Sequence, residues 1–374
     1  MATIDVRSVR KTFGKLVALD DVSFSVNDGE FFCLLGPSGA GKTTTLKSIA
    51  GLVQPDSGEV WLGGRDAGDI EPNHRNLAMC FESYALYPQH NVFDNMASPL
   101  RSPVLRLPDA EVRERVGRTA EMLGVGHLLD RGVDQLSNGQ RQRVALGRVL
   151  VRPANAYLLD EPLSHLDAKL RTSMRAELKR IAHGELNTTT VYVTHDYVEA
   201  LSLADRIGVI KDGRILQVGT PQQVWDTPET AFVAQAFGKP RISFVSGGLV
   251  SDNGTIRFIS SDGAITVPVP DLDTTAAAAG ESVRIGIRPR DLVLHTGAGA
   301  QPEGHERLDG VVYVLEHLGR QTEVTVRIGE SLVSVVAPRG DVGGLAVDDK
   351  VSLLLDPATV HVFGDSDDGR RLTR

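Results

Sequence analysis

The stretch FFCLLGPSGAGKTTTLKSIAGL, residues 31–52, constrains the fold more than any other part of the chain. Five apolar residues bounded by glycine read as a buried strand, and the periodic run after Lys42 reads as a helix. Between them lies Gly36-Pro37-Ser38-Gly39-Ala40-Gly41-Lys42-Thr43-Thr44, which fits the pattern G-x-x-x-x-G-K-[ST] in its required strand-to-helix setting. Gly36, Gly39 and Gly41 let the backbone curl so that successive N–H groups point inward, a geometry that cradles phosphate oxygens. Lys42 would reach the terminal phosphates of a nucleotide, and Thr43 would place its hydroxyl on Mg²⁺.

Two further strands end in residues suited to the same ligand. AYLLDEP closes on Asp160, which would hold the magnesium, usually through water, and on Glu161, placed to polarise an attacking water. TVYVTH closes on His195, whose neutral imidazole could hydrogen-bond a terminal phosphate and sense its loss. In open α/β sheets ligands gather beyond the carboxyl ends of the strands, so three such ends predict one nucleotide site.

The short strands and helical patterns that alternate before residue 240 predict an α/β domain with a mostly parallel sheet. A helical subdomain is expected over about 92–150, where Val112, Val116, Ala120 and Leu123 share a helix face and Gly124 stops it. After Lys239-Pro240, short strands and Gly-rich turns dominate, with a hairpin signal at Asn253-Gly254. They predict an all-β, OB-like second domain over 240–374. TTAAAAGES reads as a loop, and the charged tail GDSDDGRRLTR is expected to fray.

A net charge of −8 disfavours a nucleic-acid binder. Cys33 and Cys80 lie in apolar stretches without metal or disulfide spacing, and no run of 18 apolar residues predicts a membrane span. Any action at a membrane would pass through partners.

LSNGQRQRVALGRVL, residues 136–150, adds a helix start with an open anion-binding end. Ser137 can cap it, and Gln140 can reach back to complete a capping box. Together these elements resemble the ATP-binding-cassette (ABC) ATPase family, in which LSGGQ is the signature and LSNGQ, with Ser137, Asn138, Gly139 and Gln140, stands here. The resemblance extends over essentially the whole chain. It implies that the signature helix of one subunit faces ATP held by another. Phe13 then matches the aromatic that stacks on adenine, and SHLDAKLR supplies Ser164 and Asp167 at the dimer interface. SYALYP, residues 83–88, matches the segment that receives a coupling helix from a membrane subunit.

GTPQQVWDTPETAFVAQAFG and GIRPRDLVL look like the maltose-transporter-type ATPases of bacterial carbohydrate importers, whose tail is an OB-like (TOBE) regulatory domain. The resemblance implies ATP and Mg²⁺, two transmembrane permease subunits, an extracytoplasmic solute-binding protein acting indirectly, and a second ATPase subunit. It also implies a peripheral place on the cytoplasmic face of the membrane. Related importers of iron, sulfate or polyamines remain open alternatives, as does pairing with a non-identical ATPase. Chromosome-maintenance relatives need a long coiled coil between Lys42 and Ser137, where 95 residues leave no room.

Two positions depart from the family pattern. Glu82 replaces the glutamine that would offer an amide oxygen to Mg²⁺ and an N–H toward water; it keeps an acceptor, adds charge, and stays a candidate catalytic and metal residue. Asn138 replaces a signature glycine; asparagine keeps the backbone N–H and tolerates left-handed backbone better than most residues, so the change should be mild.

Overall fold

A computed structural model describes residues 3–81, 85–164, 166–180, 188–252, 255–273, 281–295, 302–366 and 368–373. By internal contacts it divides into two units, Met1–Pro221 and Gln222–Arg374.

The strands of the first unit are β1 (Ile4–Phe13), β2 (Leu16–Val26), β3 (Phe31–Leu35), β4 (Ser57–Leu62), β5 (Arg65–Asp66), β6 (Leu77–Cys80), β7 (Ala156–Asp160), β8 (Thr189–Thr194), β9 (Arg206–Lys211) and β10 (Arg214–Gly219). They form an antiparallel sheet of order β2-β1-β4-β5 and a six-stranded sheet of order β10-β9-β3-β8-β7-β6. In the larger sheet every pairing except β10 with β9 is parallel. All residues of β3, β7 and β8 are buried, as expected of strands covered on both faces. The register sets Leu35 beside Thr194 and Asp160 beside Val193, so the three strands end along one edge.

Helices α1 (Lys42–Ala50), α2 (Val92–Ala97), α3 (Asp109–Met122), α4 (Asn138–Leu150), α5 (Ala168–Arg180) and α6 (Tyr197–Leu203) complete this unit. α2, α3 and α4 make the helical region expected over 92–150. Val112, Val116, Ala120 and Leu123 are buried there, and Gly124 stops α3 at a φ of 63°.

The second unit begins earlier than the change in composition near residue 240. Most of α7 (Pro221–Asp226) and all of α8 (Ala231–Ala236) belong to it. Ala231 and Ala234 pack with Ile242 and Phe363, and Arg288 donates to the carbonyls of Phe237 and Trp225 at 3.3 and 2.7 Å.

Its strands are β11 (Ser243–Asp252), β12 (Thr255–Ser260), β13 (Thr266–Pro268), β14 (Ser282–Ile287), β15 (Leu292–His295), β16 (Glu306–Leu318), β17 (Gln321–Ile328), β18 (Ser331–Pro338), β19 (Lys350–Leu355) and β20 (His361–Gly364). They form two five-stranded antiparallel sheets, β13-β12-β11-β14-β20 and β15-β19-β16-β17-β18, that share one apolar core. Asn253-Gly254 lies outside the described residues, but the flanking β11 and β12 pair antiparallel. The tail does not fray over residues 370–372. Leu372 is buried, its N–H donates to Val362 at 2.7 Å, and the Arg371 N–H donates to Glu229 at 2.8 Å. An apolar side chain and backbone hydrogen bonds to Val362 of β20 and to Glu229 outweigh the charged composition of the segment.

Candidate functional site

The glycine loop leaves β3 at a point where only glycine fits. A Cβ on Gly36 would stand 2.3 Å from the carbonyl oxygen of Ile210. Gly41, the N-terminal cap of α1, has a φ of 104°, a conformation that side chains resist. Of the intervening residues, Pro37, Ser38 and Gly39 are exposed, Ala40 is buried, and Thr44 is half-buried at the start of α1. Lys42 is 5% exposed, and its ammonium donates to the carbonyls of Gly36 and Pro37, both at 2.9 Å. The lysine therefore spans the loop it belongs to.

Beside it, the Thr43 hydroxyl donates to Asp160 Oδ1 at 3.1 Å, with Asp160 almost fully buried. Glu161 follows with a φ of 45°, its N–H donating to the carbonyl of Val193 at 3.0 Å. That left-handed backbone is uncommon for a side chain other than glycine, and such residues cluster at functional sites. The turn aims the Glu161 carboxylate between two partners: Lys42 Nζ lies 3.6 Å from Oε1, and His195 Nδ1 lies 2.8 Å from Oε2. The strand ends predicted to converge do so, and Glu161 joins them.

The remaining candidates sit on neighbouring elements. Phe13 ends β1 with its ring half exposed and Lys11 Nζ 5.6 Å from the centroid. Ser164 donates to the carbonyl of Glu161 at 3.0 Å, and Asp167 Oδ1 accepts from the N–H of Leu170 as α5 begins. The capping box of the signature is formed: Ser137 Oγ accepts the Gln140 N–H at 3.3 Å, and Gln140 Oε1 accepts the Ser137 N–H at 2.9 Å. Asn138 and Gly139 follow as the first helical residues. Asn138 has no positive φ, so its tolerance of left-handed backbone is not called upon. Among the described residues, no hydrogen bond joins the signature to the glycine loop. Glu82 lies outside the described residues.

Sequence reasoning missed the polar residues that hold this apparatus. Asn95, fully buried on α2, accepts the Tyr87 N–H at 2.8 Å and donates to the carbonyls of Tyr87, His90 and Asn91. Arg148 on α4 donates to the carbonyl of Ala85 at 2.7 Å and lies over the Tyr87 ring, which fastens the chain after residue 84 to the signature helix. Arg171 on α5 donates to the carbonyls of Ser164 and Leu166 and faces Asp196 at 3.8 Å. Glu199 on α6 is buried and accepts two hydroxyls; burial raises its carboxyl above the usual range. Its signal was present in the sequence, because Asp196 and Glu199 stand at capping-box spacing.

Known proteins with the same full-length arrangement settle the family. The trehalose/maltose import ATP-binding protein MalK of Thermococcus litoralis is 41% identical over 97% of this chain and 98% of its own. The chain belongs to the import ATP-binding subunits of ABC transporters. The sn-glycerol-3-phosphate import ATP-binding protein UgpC of Cereibacter sphaeroides is 41% identical over the whole of both chains. The xylose/arabinose import ATP-binding protein XacK of Haloferax volcanii is 39% identical over 97% of this chain and 94% of its own.

Within this ABC subunit, the ABC transporter family matches residues 19–164 and the TOBE domain family matches residues 302–362. A solved ATP-binding cassette, dimeric in a post-hydrolysis state with ADP and Pi bound, superposes with a TM-score of 0.53 at 28% identity. The match covers 58% of this chain and 98% of that one. As a member of the family, this subunit binds and hydrolyses ATP. None of the described helices is long and apolar enough to cross a membrane.

Proposed function

We propose that this subunit energises uptake of a carbohydrate or sugar-derived solute, working as one of a pair of ATPases on the cytoplasmic face of two permease subunits. Its relatives are import ATP-binding proteins for trehalose, maltose, xylose, arabinose and glycerol 3-phosphate, which supports that solute class. Its hydrolytic centre is the Glu161 carboxylate, and the observation that carries this reading is its place between Lys42 and His195.

In this mechanism the loop from Gly36 to Thr44 wraps the phosphates with its N–H groups, and Lys42 neutralises the terminal phosphate. Glu161 takes a proton from the attacking water, with the Lys42 ammonium 3.6 Å from its carboxylate. His195, hydrogen-bonded to Glu161, contacts the leaving terminal phosphate. Phe13 stacks on the adenine of the same nucleotide. From the partner ATPase, Ser137 to Gln140 face that phosphate and Asp167 lies at the interface.

The donor set also fits Mg²⁺. A hydroxyl and a carboxylate 3.1 Å apart, Thr43 and Asp160, are hard oxygen ligands. Among the described residues no cluster of three or more His, Cys, Asp or Glu forms, as suits an ion completed by phosphate and water. Thr43 and Asp160 would hold it, with Glu82 as a further acceptor; bound there, Mg²⁺ supplies positive charge to the phosphates.

The test is Glu161→Gln. It retains ATP binding but loses about 10²- to 10⁴-fold in kcat, the usual contribution of a positioned base. Turnover within a few-fold of wild type would remove Glu161 from the chemistry.

A further inference from the structure

A helix whose N-cap is Asp196 and whose third residue is Glu199 is expected to close a capping box, the glutamate accepting the N–H of Asp196. Here the box is open by one residue. The Asp196 N–H donates to Thr194 Oγ1 at 2.9 Å, and Thr194 Oγ1 donates to Glu199 Oε2 at 2.8 Å. The threonine hydroxyl is thus inserted between cap and carboxylate. The same carboxylate oxygen accepts the Tyr192 hydroxyl at 2.8 Å from the same face of β8. Asp196 Oδ1 still caps the helix through the N–H of Val198 at 2.8 Å.

This relay encloses His195. Thr194 precedes it, Asp196 follows it, and both are tied to one carboxylate on α6. The Thr194 carbonyl also accepts the N–H of Gly36, the first glycine of the phosphate loop, at 3.4 Å. Thr194 and Glu199 are 2% and 3% exposed, so water does not replace these bonds. His195 itself is more than half exposed, with Glu161 as its hydrogen-bond partner. An exposed ring does not fix its own direction; the backbone beneath it must. Hydrogen bonds to a buried carboxylate are among the stronger ones available for that task.

We propose that Glu199 is a positioning residue for His195, acting through the Thr194 hydroxyl. It touches neither nucleotide nor water; it holds the turn from which the imidazole reaches Glu161. The inference rests on the proposed role of His195.

The closing experiment uses the full-length chain in its assembled transporter for turnover and the isolated full-length chain for spectra. Thr194→Val keeps the side-chain volume but removes the hydroxyl, and Thr194→Ser restores it. Kinetics are read as kcat and KM for ATP, and the His195 ring by NMR of ¹³C-labelled histidine, assigned with His195→Ala. Thr194→Val should lower kcat about tenfold, a barrier change of one hydrogen bond, with the KM for ATP little changed. It should also move the His195 ring resonances. Thr194→Ser should return both to within about twofold of wild type, the methyl being no part of the relay.

Glu199→Gln combined with Thr194→Val should be no worse than Thr194→Val alone, because the two act in one chain. A Thr194→Val protein with wild-type kcat and an unmoved His195 ring overturns the inference, even if Glu199→Gln fails to fold. If His195→Ala retains full turnover, the role given to His195 fails instead. The ring resonances of Thr194→Val still decide whether the relay positions it.

Discussion

Lys42 shows how much chemistry one residue concentrates in this protein. Its ammonium is almost wholly buried, donates to two carbonyls of its own loop and faces a carboxylate. Lys42→Ala would leave the Gly36 and Pro37 carbonyls without that donor and Glu161 without its cation. In the proposed mechanism it would also remove the charge that neutralises the transferring phosphate, a kind of stabilisation worth about 3 kcal/mol. The expected outcome is a fall of about 100-fold in kcat in a steady-state ATPase assay. Lys42→Arg should recover little, because a planar fork does not replace a compact ammonium between two carbonyls. Unimpaired hydrolysis by Lys42→Ala would contradict this placement.

Lys42, Asp160, Glu161 and His195 were legible in the sequence because each follows or ends an apolar strand, where side-chain period and strand end locate it. The bond between Thr194 and Glu199 was not, because it is made by α6 folding back onto β8. The capping-box spacing of Asp196 and Glu199 marks where a helix starts, and does not tell that the carboxylate meets a strand hydroxyl instead of the cap N–H. Asn138 was legible as a departure, and of the two grounds for a mild change only the retained backbone N–H applies. Its backbone is that of an ordinary first helical turn, where a left-handed residue is not required.

The elements that carry these residues are held by polar side chains whose role the local sequence conceals. Arg75 lies in PNHRN, a run that reads as an exposed turn, yet it is 7% exposed. Its guanidinium donates to Ser48 and Ile49 at the end of α1, at 3.2 and 2.8 Å. It also donates to Ala67 at 2.6 Å and to Ile70 at 2.9 Å. The last carbonyls of a helix have no partner within it and carry the negative end of its dipole, so a cation there both satisfies and attracts them. Burial lowers the pKa of this guanidinium from its ordinary value, and the four carbonyls receive it as a cation.

Arg75→Ala should therefore cost about 3 kcal/mol of unfolding free energy, the scale of losing hydrogen bonds to a charged group with acceptors left buried. Urea unfolding of the two proteins reads the difference. Arg75→Lys should recover only part of it, since one ammonium cannot span α1, Ala67 and Ile70 together. A loss below about 0.5 kcal/mol, the range of ordinary surface substitutions, would show that the cap is not needed.

On the scale of the whole molecule, composition and contact divide the chain at different places. The sequence changes character near Lys239-Pro240, whereas the second unit begins at Gln222, because α8 uses its apolar face on the β-rich unit and Arg288 holds Trp225 of α7. Arg288 makes that attachment specific: it is 4% exposed, lies 4.2 Å from the centroid of the Trp225 ring and donates to two carbonyls of the helical segment. Composition registers propensity, and only packing decides which unit a helix joins.

The same neighbourhood gives this unit a pH dependence. His361, at the start of β20, is 9% exposed. Burial pushes its pKa down to about 3, and Arg288 and Arg371 push in the same direction. In the unfolded chain the imidazole titrates near its ordinary value of about 6.5, so below that pH the unfolded state binds a proton that the folded state refuses. Stability then falls as the pH drops from about 6.5 toward 3, and at pH 5 the loss from this residue alone is about 2 kcal/mol.

Chemical unfolding at pH 7 and pH 5 tests this, read from the fluorescence of Trp225 in a Trp61→Phe background that removes the other tryptophan. His361→Gln deletes the titration. Its stability should fall by about 2 kcal/mol less than that of its parent between the two pH values, whatever the other groups contribute to both. Equal losses in the two proteins would mean that His361 takes up its proton while folded, and that Arg288 and Arg371 do not keep the imidazole neutral.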